Sequence, residues 1–297
     1  MKRRTFIRTT VGTSLALAQT QTLLALEAEN AYRKNIGIQL YTLRNELGKD
    51  PAGTLKQVAA DGYKQVELYG FPNADAMIAG AKQAGLEINS AHFEWDAVVN
   101  PKDVAMSDFS KILEKAYQIG LSHLVIPYLQ EPNRKSLDDY KKIAAHANQA
   151  AAMAKKAGIQ LSYHNHNFEF EPKDAGKSGY DIFMEEFSPE MQFEIDVFWV
   201  KAAGLDPIAL IKKLSGRVSQ LHLKDLKEGI ATPSFSAALP ANAFQPLGAG
   251  VISMEPIIVA AKAAGVKHCH VEQDQSPAPM NDIQRSITYL RDRKSVV

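Results

Sequence analysis

Residues 137–166 read LDDYKKIAAHANQAAAMAKKAGIQLSYHNH. A long amphipathic helical pattern runs up to Gly158, and glycine is the residue best suited to end a helix in a left-handed conformation. A short strand, IQLSYHNH at 159–166, follows at once. The same helix–glycine–strand punctuation recurs at Gly62, Gly85, Gly120 and Gly265. Working outward, eight strands are predicted: 36–41, 65–69, 87–93, 123–128, 159–166, 192–196, 218–223 and 267–272. Helical patterns fill the gaps between them and follow the last. Eight strand–helix units in about 260 residues predict one closed (β/α)8 barrel, a TIM barrel, as a single domain. An open doubly wound sheet is the rival, but no glycine-rich dinucleotide turn follows the first strand.

The quoted strand also carries the chemistry. LSYHNHNFEF at 161–170 holds two histidines, two asparagines and a glutamate in ten residues. Uncompensated polar groups are costly in a core. In such barrels reactive groups sit at the C-terminal strand ends, and polar residues gather at those ends here. They are Gln39, Glu67 and His92, then His164 with His166, Glu194 with Asp196, His222 with Lys224, and His270 with Glu272. Strand side chains alternate with period two, so both members of each pair share a face. A His, an Asp, a His and a Glu at the ends of strands five to eight suit one divalent cation. Tyr41, Trp95 and Tyr128 lie near strand ends and are candidate flat surfaces for a sugar ring, or packing under loops. Gln39, Glu67 and His92 are further candidate substrate contacts. His123, His146 and His268 read as structural, and Cys269 as a small buried residue.

The 297 residues are 45% hydrophobic and 23% charged, an ordinary globular composition. Lysine and arginine (34) nearly balance aspartate and glutamate (33), and no basic stripe interleaves with aromatics. That argues against a nucleic-acid partner. A single cysteine excludes an internal disulfide and a cysteine-rich zinc site. Residues 1–28, MKRRTFIRTTVGTSLALAQTQTLLALEA, have a basic start, a weakly apolar centre and small residues near the end. This layout is that of an export signal, and Arg3-Arg4 resembles the twin-arginine type. The segment is too polar for a good membrane span. The expectation is a domain at 29–297, periplasmic or extracytoplasmic, with no stable membrane association and a homo-oligomer left open. One connection, residues 226–252, is long and rich in Pro, Ala and Gly, and reads as a lid or as a plain insertion. Its GAG at 248–250 could bring backbone amides near an anion.

In order along the chain, GIQLYTLR, GYKQVELYG, YHNHNFEF, FEIDVFWV, LHLKD, PLGAGVIS and HVEQD resemble the xylose isomerase-like superfamily, also called the sugar phosphate isomerase/epimerase family. The likeness spans about Ile36 to Arg293. It implies one divalent metal, manganese first, with cobalt, zinc, iron or magnesium as alternatives. The implied ligands are His164, Asp196, His222 and Glu272, and a register slip of two would substitute His166. Where the epimerases carry a glutamate on strand five, this chain has His164, which puts their paired-carboxylate mechanism in question. YHNH, HLKD and VEQD are similar to inosose dehydratase and to enzymes acting on 3-keto sugars. The resemblance implies proton abstraction next to a carbonyl of a sugar, through a metal-stabilised enediolate. The base would be His166 or Glu272, with Glu169 behind them, and Lys224 would stabilise a developing oxyanion. The outcome would be isomerisation or epimerisation, or alternatively dehydration or lysis of a keto-sugar, keto-glycoside or keto-inositol. A non-catalytic carbohydrate-binding protein is the remaining alternative.

Overall fold

Five helices stop at the glycines marked above, with φ of +106° at Gly62, +71° at Gly85, +83° at Gly120, +74° at Gly158 and +82° at Gly265. Each stop lets the chain turn back into the sheet. The computed structural model describes residues 34–292, so the proposed export segment at 1–28 lies outside the described residues. The barrel strands are β1 (Gly37–Gln39), β2 (Gln65–Phe71), β3 (Glu87–Phe93), β4 (His123–Ile126), β5 (Gln160–His164), β6 (Met191–Asp196), β7 (Val218–Leu223) and β8 (His268–Val271). All pair in parallel with their chain neighbours, and β1 also pairs with β8, closing the barrel.

The principal helices wrap it: α1 (Pro51–Asp61), α2 (Asp75–Gln83), α3 (Ser107–Ile119), α4 (Leu137–Lys156), α5 (Gly179–Glu186), α6 (Pro207–Lys213), α7 (Met254–Ala263) and α8 (Pro279–Arg291). Their starts are chemically marked. Asp50 accepts the Gly53 amide ahead of Pro51, and Ser136 with Asp139 and Ser178 with Asp181 form capping boxes. The buried faces of α4 and its neighbours join one continuous apolar cluster with the strands. No helix among the described residues is long and apolar enough to cross a membrane.

Three strands end two residues earlier than the sequence pattern predicts. The Gln39 side chain accepts the Tyr41 amide and turns β1 into a 3-10 helix at Leu40–Leu43. Pro127 has no N–H to offer, and β4 ends at Ile126. β5 stops at His164, because the chain then winds into a 3-10 turn at Phe168–Phe170. The long connection after β7 contributes a two-stranded antiparallel ladder, Asp225–Leu226 with Phe244–Gln245. The Asp225 carboxylate takes the amides of Gly248, Gly250 and Ile252, each at 2.9 Å. The anion facing the GAG amides is therefore internal to the chain.

Candidate metal centre

Four side chains at the C-terminal mouth converge from consecutive strands. His164 ends β5, Asp196 ends β6, His222 lies on β7, and Glu272 follows β8. One ligand atom from each falls within 4.8 Å of all the others. All four residues are buried. Three of them also have a far atom tied down, which leaves a near atom for the centre. His164 donates Nδ1–H to the Pro127 carbonyl (3.2 Å), leaving Nε2 on the Asp196 side. Asp196 Oδ1 caps the short helix Val197–Ala202 through the amides of Phe198 (2.9 Å) and Trp199 (3.2 Å), which turns Oδ2 toward the centre. His222 places Nε2 2.6 Å from Glu67 Oε1 and turns Nδ1 toward Glu272.

The donor set fits a divalent ion. His222 Nδ1 and Glu272 Oε2 lie 2.7 Å apart, yet neither atom has a hydrogen bond of acceptable geometry, and both are buried. Buried polar atoms of that kind are normally satisfied by something. Two imidazole nitrogens and two carboxylate oxygens suit first-row transition ions better than calcium. Lys224 lies beside them, its Nζ 2.8 Å from Asp196 Oδ2, 2.6 Å from Glu272 Oε2 and 2.7 Å from Asp274 Oδ1. Burial works against its charge, but Asp196, Asp274 and Glu272 outweigh burial and hold the ammonium well above its ordinary range. Asp274, two residues beyond Glu272, moves the other way: burial pushes its carboxyl up to about 6 against the pull of Lys224.

Above the centre opens a cavity of about 510 Å³. Tyr41, His92, Trp95, Tyr128 and His166 line it, as do His164, Lys224 and Glu272. The His166 ring meets Tyr128 edge-on at 4.9 Å, stacks on Phe168 at 5.3 Å, and stays out of the four-ligand cluster. The structure corrects three sequence readings. Gln39 and Glu67, taken as substrate contacts, are fully buried beneath the cavity and absent from its lining. Glu67 is only the third residue of a seven-residue strand, so it points into the barrel interior below the mouth. Glu169, taken as a reserve base, turns inward from the 3-10 segment, accepting the Tyr163 hydroxyl (2.5 Å) and the His166 amide (2.8 Å).

Other wall residues escaped the sequence reading. Tyr69 continues β2 with the same alternation as Glu67, and Asp274 continues the alternation of Glu272, so period two could have found both. Trp199 and Phe244 come from a helix and from the long connection, where strand alternation carries no signal. Ala237, Ala238 and Leu239 of that connection also line the cavity, which places part of it over the mouth. Below the centre lies a second polar layer. His92 Nε2 is 2.8 Å from Glu194 Oε2 and 3.2 Å from Glu67 Oε1. Burial opposes its charge, but the two carboxylates raise its pKa to about 9.

A closed parallel barrel whose mouth gathers imidazoles and carboxylates defines a TIM-barrel protein with a candidate metal site. Residues 55–293 match the model of the xylose isomerase-like TIM barrel family, and the chain belongs to that family. Inosose dehydratase of Clostridium tetani is 22% identical over 268 residues, 82% of this chain and 89% of that protein. A sugar phosphate isomerase/epimerase from Parabacteroides distasonis is 26% identical, with a TM-score of 0.69 over 89% of this chain and 100% of that one. The IOLI protein, solved with a zinc atom, shares the fold at 15% identity and a TM-score of 0.64, over 86% of this chain and 96% of that one.

Proposed function

We propose that this protein is a metal-dependent carbohydrate lyase or dehydratase that removes a proton next to a ketone and expels the β-oxygen. The observation that carries this reading is the asymmetry of the mouth. Strand five brings two imidazoles, His164 and His166, while the three carboxylates around the Lys224 ammonium, Asp196, Glu272 and Asp274, come from strand six and the turn after β8. A proton acceptor on one wall and a cation on the other suit elimination. The paired carboxylates that would exchange a proton between two faces of one carbon are missing from that arrangement.

A divalent ion held by His164, Asp196, His222 and Glu272 would supply Lewis acidity toward a carbonyl and an adjacent hydroxyl. The rest falls to the chain. His166 accepts the proton from the carbon beside the ketone, a contribution of ~10²–10⁴-fold for a positioned base. The C–H electron pair becomes a carbon–carbon double bond as the β C–O bond breaks. Lys224, held at the wall by Asp274, donates a proton to the departing oxygen, so an alcohol or water leaves. Tyr41, Trp95, Tyr128 and Trp199 offer ring faces to a pyranose or cyclitol and narrow the access of water.

The substrate class is a ketone of an unphosphorylated sugar, glycoside or inositol. Among the described residues Lys224 is the only lysine or arginine lining the cavity, and three carboxylates already surround it. Glu94 adds another negative group to the lining, which disfavours a phosphate. The proposed export signal is in keeping with the same reading, because export would put the enzyme outside the cytoplasm. Isomerisation is the second reading, favoured by the Parabacteroides distasonis relative named a sugar phosphate isomerase/epimerase.

The test begins with metal analysis and continues with proton NMR of keto-sugars and keto-inositols in heavy water. Exchange beside the carbonyl with loss of the β-oxygen is expected, and His222→Ala and Glu272→Gln should abolish it. Exchange with the oxygen retained would move the assignment to isomerase or epimerase. Sugar binding with neither metal nor exchange would leave a carbohydrate-binding protein.

A further inference from the structure

We infer that Glu67 is the positioning residue of this centre, fixing the tautomer and aim of His222 from below. This deepens the metal reading and rests on it. The geometry is one-sided. His222 Nε2 lies 2.6 Å from Glu67 Oε1, and a carboxylate oxygen can only accept from an N–H. A proton on Nε2 leaves Nδ1 as the lone-pair nitrogen, and Nδ1 is the atom facing Glu272 Oε2 at 2.7 Å and Asp196 Oδ2 at 3.9 Å. The partner of the outer nitrogen sets which nitrogen binds, and such carboxylate–imidazole pairs orient the ligand and raise its basicity.

Glu67 is itself held from several sides. Gln39 Nε2 donates to Oε1 at 2.8 Å, Gln220 Nε2 donates to Oε2 at 3.1 Å, and the Ser90 hydroxyl also donates to Oε2. His92 approaches Oε1 at 3.2 Å. These partners come from β1, β3 and β7, so the carboxylate is clamped across the barrel interior. A residue merely filling space there would not need donors on both oxygens. The arrangement also explains why Gln39 and Glu67 are polar although they touch no cavity: they serve the site through His222.

A competing use of the same atoms makes the inference testable. Glu67, Glu194, His222 and His270 also bring one ligand atom each within 4.8 Å, and neither nitrogen of the buried His270 has a hydrogen-bond partner. If a second ion occupied that deeper cluster, His222 Nε2 would be a ligand and could not carry a proton.

The experiment measures zinc stoichiometry and affinity by chelator competition for the wild type, Glu67→Gln and Glu67→Asp. It also records long-range ¹H–¹⁵N spectra of the zinc-loaded wild type. We expect one zinc per chain in the wild type and a proton on His222 Nε2. Glu67→Gln should bind zinc about 10–100-fold more weakly, with part of that loss recovered in Glu67→Asp. The rise in Tm on adding zinc should shrink in Glu67→Gln, which a purely structural role would leave intact. A dissociation constant within threefold of wild type, an unprotonated Nε2, or two zinc ions per chain would overturn the inference. The spectrum decides the matter even if Glu67→Gln does not fold. A wild type that binds no zinc removes the metal reading itself, an outcome distinct from an intact site indifferent to Glu67.

Discussion

Glu169 shows how a single side chain can look catalytic and act as a brace. Burial pushes its carboxyl up to about 7, although Tyr163 and the amides of Glu169 and His166 pull the other way. In the unfolded chain a glutamate titrates near ~4.3. Between those values the folded protein holds a proton that the unfolded chain has released. Stability therefore falls as pH rises through that window and stays lower above it. Glu169→Gln keeps the shape and removes the ionisation. Its Tm relative to wild type should be more favourable at pH 8 than at pH 4.5, by an amount corresponding to about 3 kcal/mol. Thermal melts at the two pH values check this, and an unchanged difference would show that the carboxyl titrates in the fold as it does in the unfolded chain. The sequence misleads here because residue 169 lies past the strand, where alternation no longer tells which way a side chain points. His164, Asp196, His222 and Glu272 were legible because each ends or follows a strand whose alternation continues to the mouth. Depth along the strand was not legible, and Glu67 was therefore read one layer too high.

The connection between β7 and α7 is the element that departs most from the plain strand–helix repeat. Length and composition suggested a lid or an insertion, and its Ala237–Leu239 segment lines the cavity. Two polar anchors hold it. Asp225 gathers the amides of Gly248, Gly250 and Ile252, and Asn167 Nδ2 donates to the carbonyls of Ser234 (2.9 Å) and Ser236 (2.8 Å). The second anchor ties the connection to the turn after β5, the segment that also carries His166. Neither pairing was visible in the sequence, because each joins residues far apart along the chain. If the connection acts as a lid, Asn167→Ala, which removes two hydrogen bonds worth ~0.5–1.5 kcal/mol each, should loosen its docking about tenfold. Under the proposed activity, KM should rise by that order while zinc affinity stays near wild type. Limited proteolysis between residues 227 and 243 should speed up in parallel. An unchanged KM together with unchanged proteolysis would mean that the anchor does not govern the lid.

At the scale of the whole molecule, the repeat of strand and helix, marked five times by a glycine, was enough to predict the barrel, since eight strand–helix units have few other ways to bury their strands. What the repeat could not supply was the seam, where the first and last strands meet without a connecting loop. Gly37 occupies that seam, paired with Gln65 on one side and His270 on the other. A β-carbon built there would overlap the His270 ring, approach Gln65 Cγ to 2.8 Å and meet the Cys269 carbonyl at 3.1 Å. His270 and Gln65 are themselves buried, so neither has room to withdraw. Overpacking of this kind costs typically ~1–3 kcal/mol, and at the closure the strain falls on both neighbouring strands. Gly37→Ala should therefore lower Tm by about 2–12 °C at roughly 2–4 °C per kcal/mol for a domain near this size. Amide exchange should accelerate together in residues 36–39 and 268–271, because opening the seam releases both strands. Zinc affinity should change far less, since the four candidate ligands stand on β5 to β7 and just beyond β8. A melt within about 1 °C of wild type, or faster exchange in β1 alone, would mean that the barrel is not closed by the contacts described.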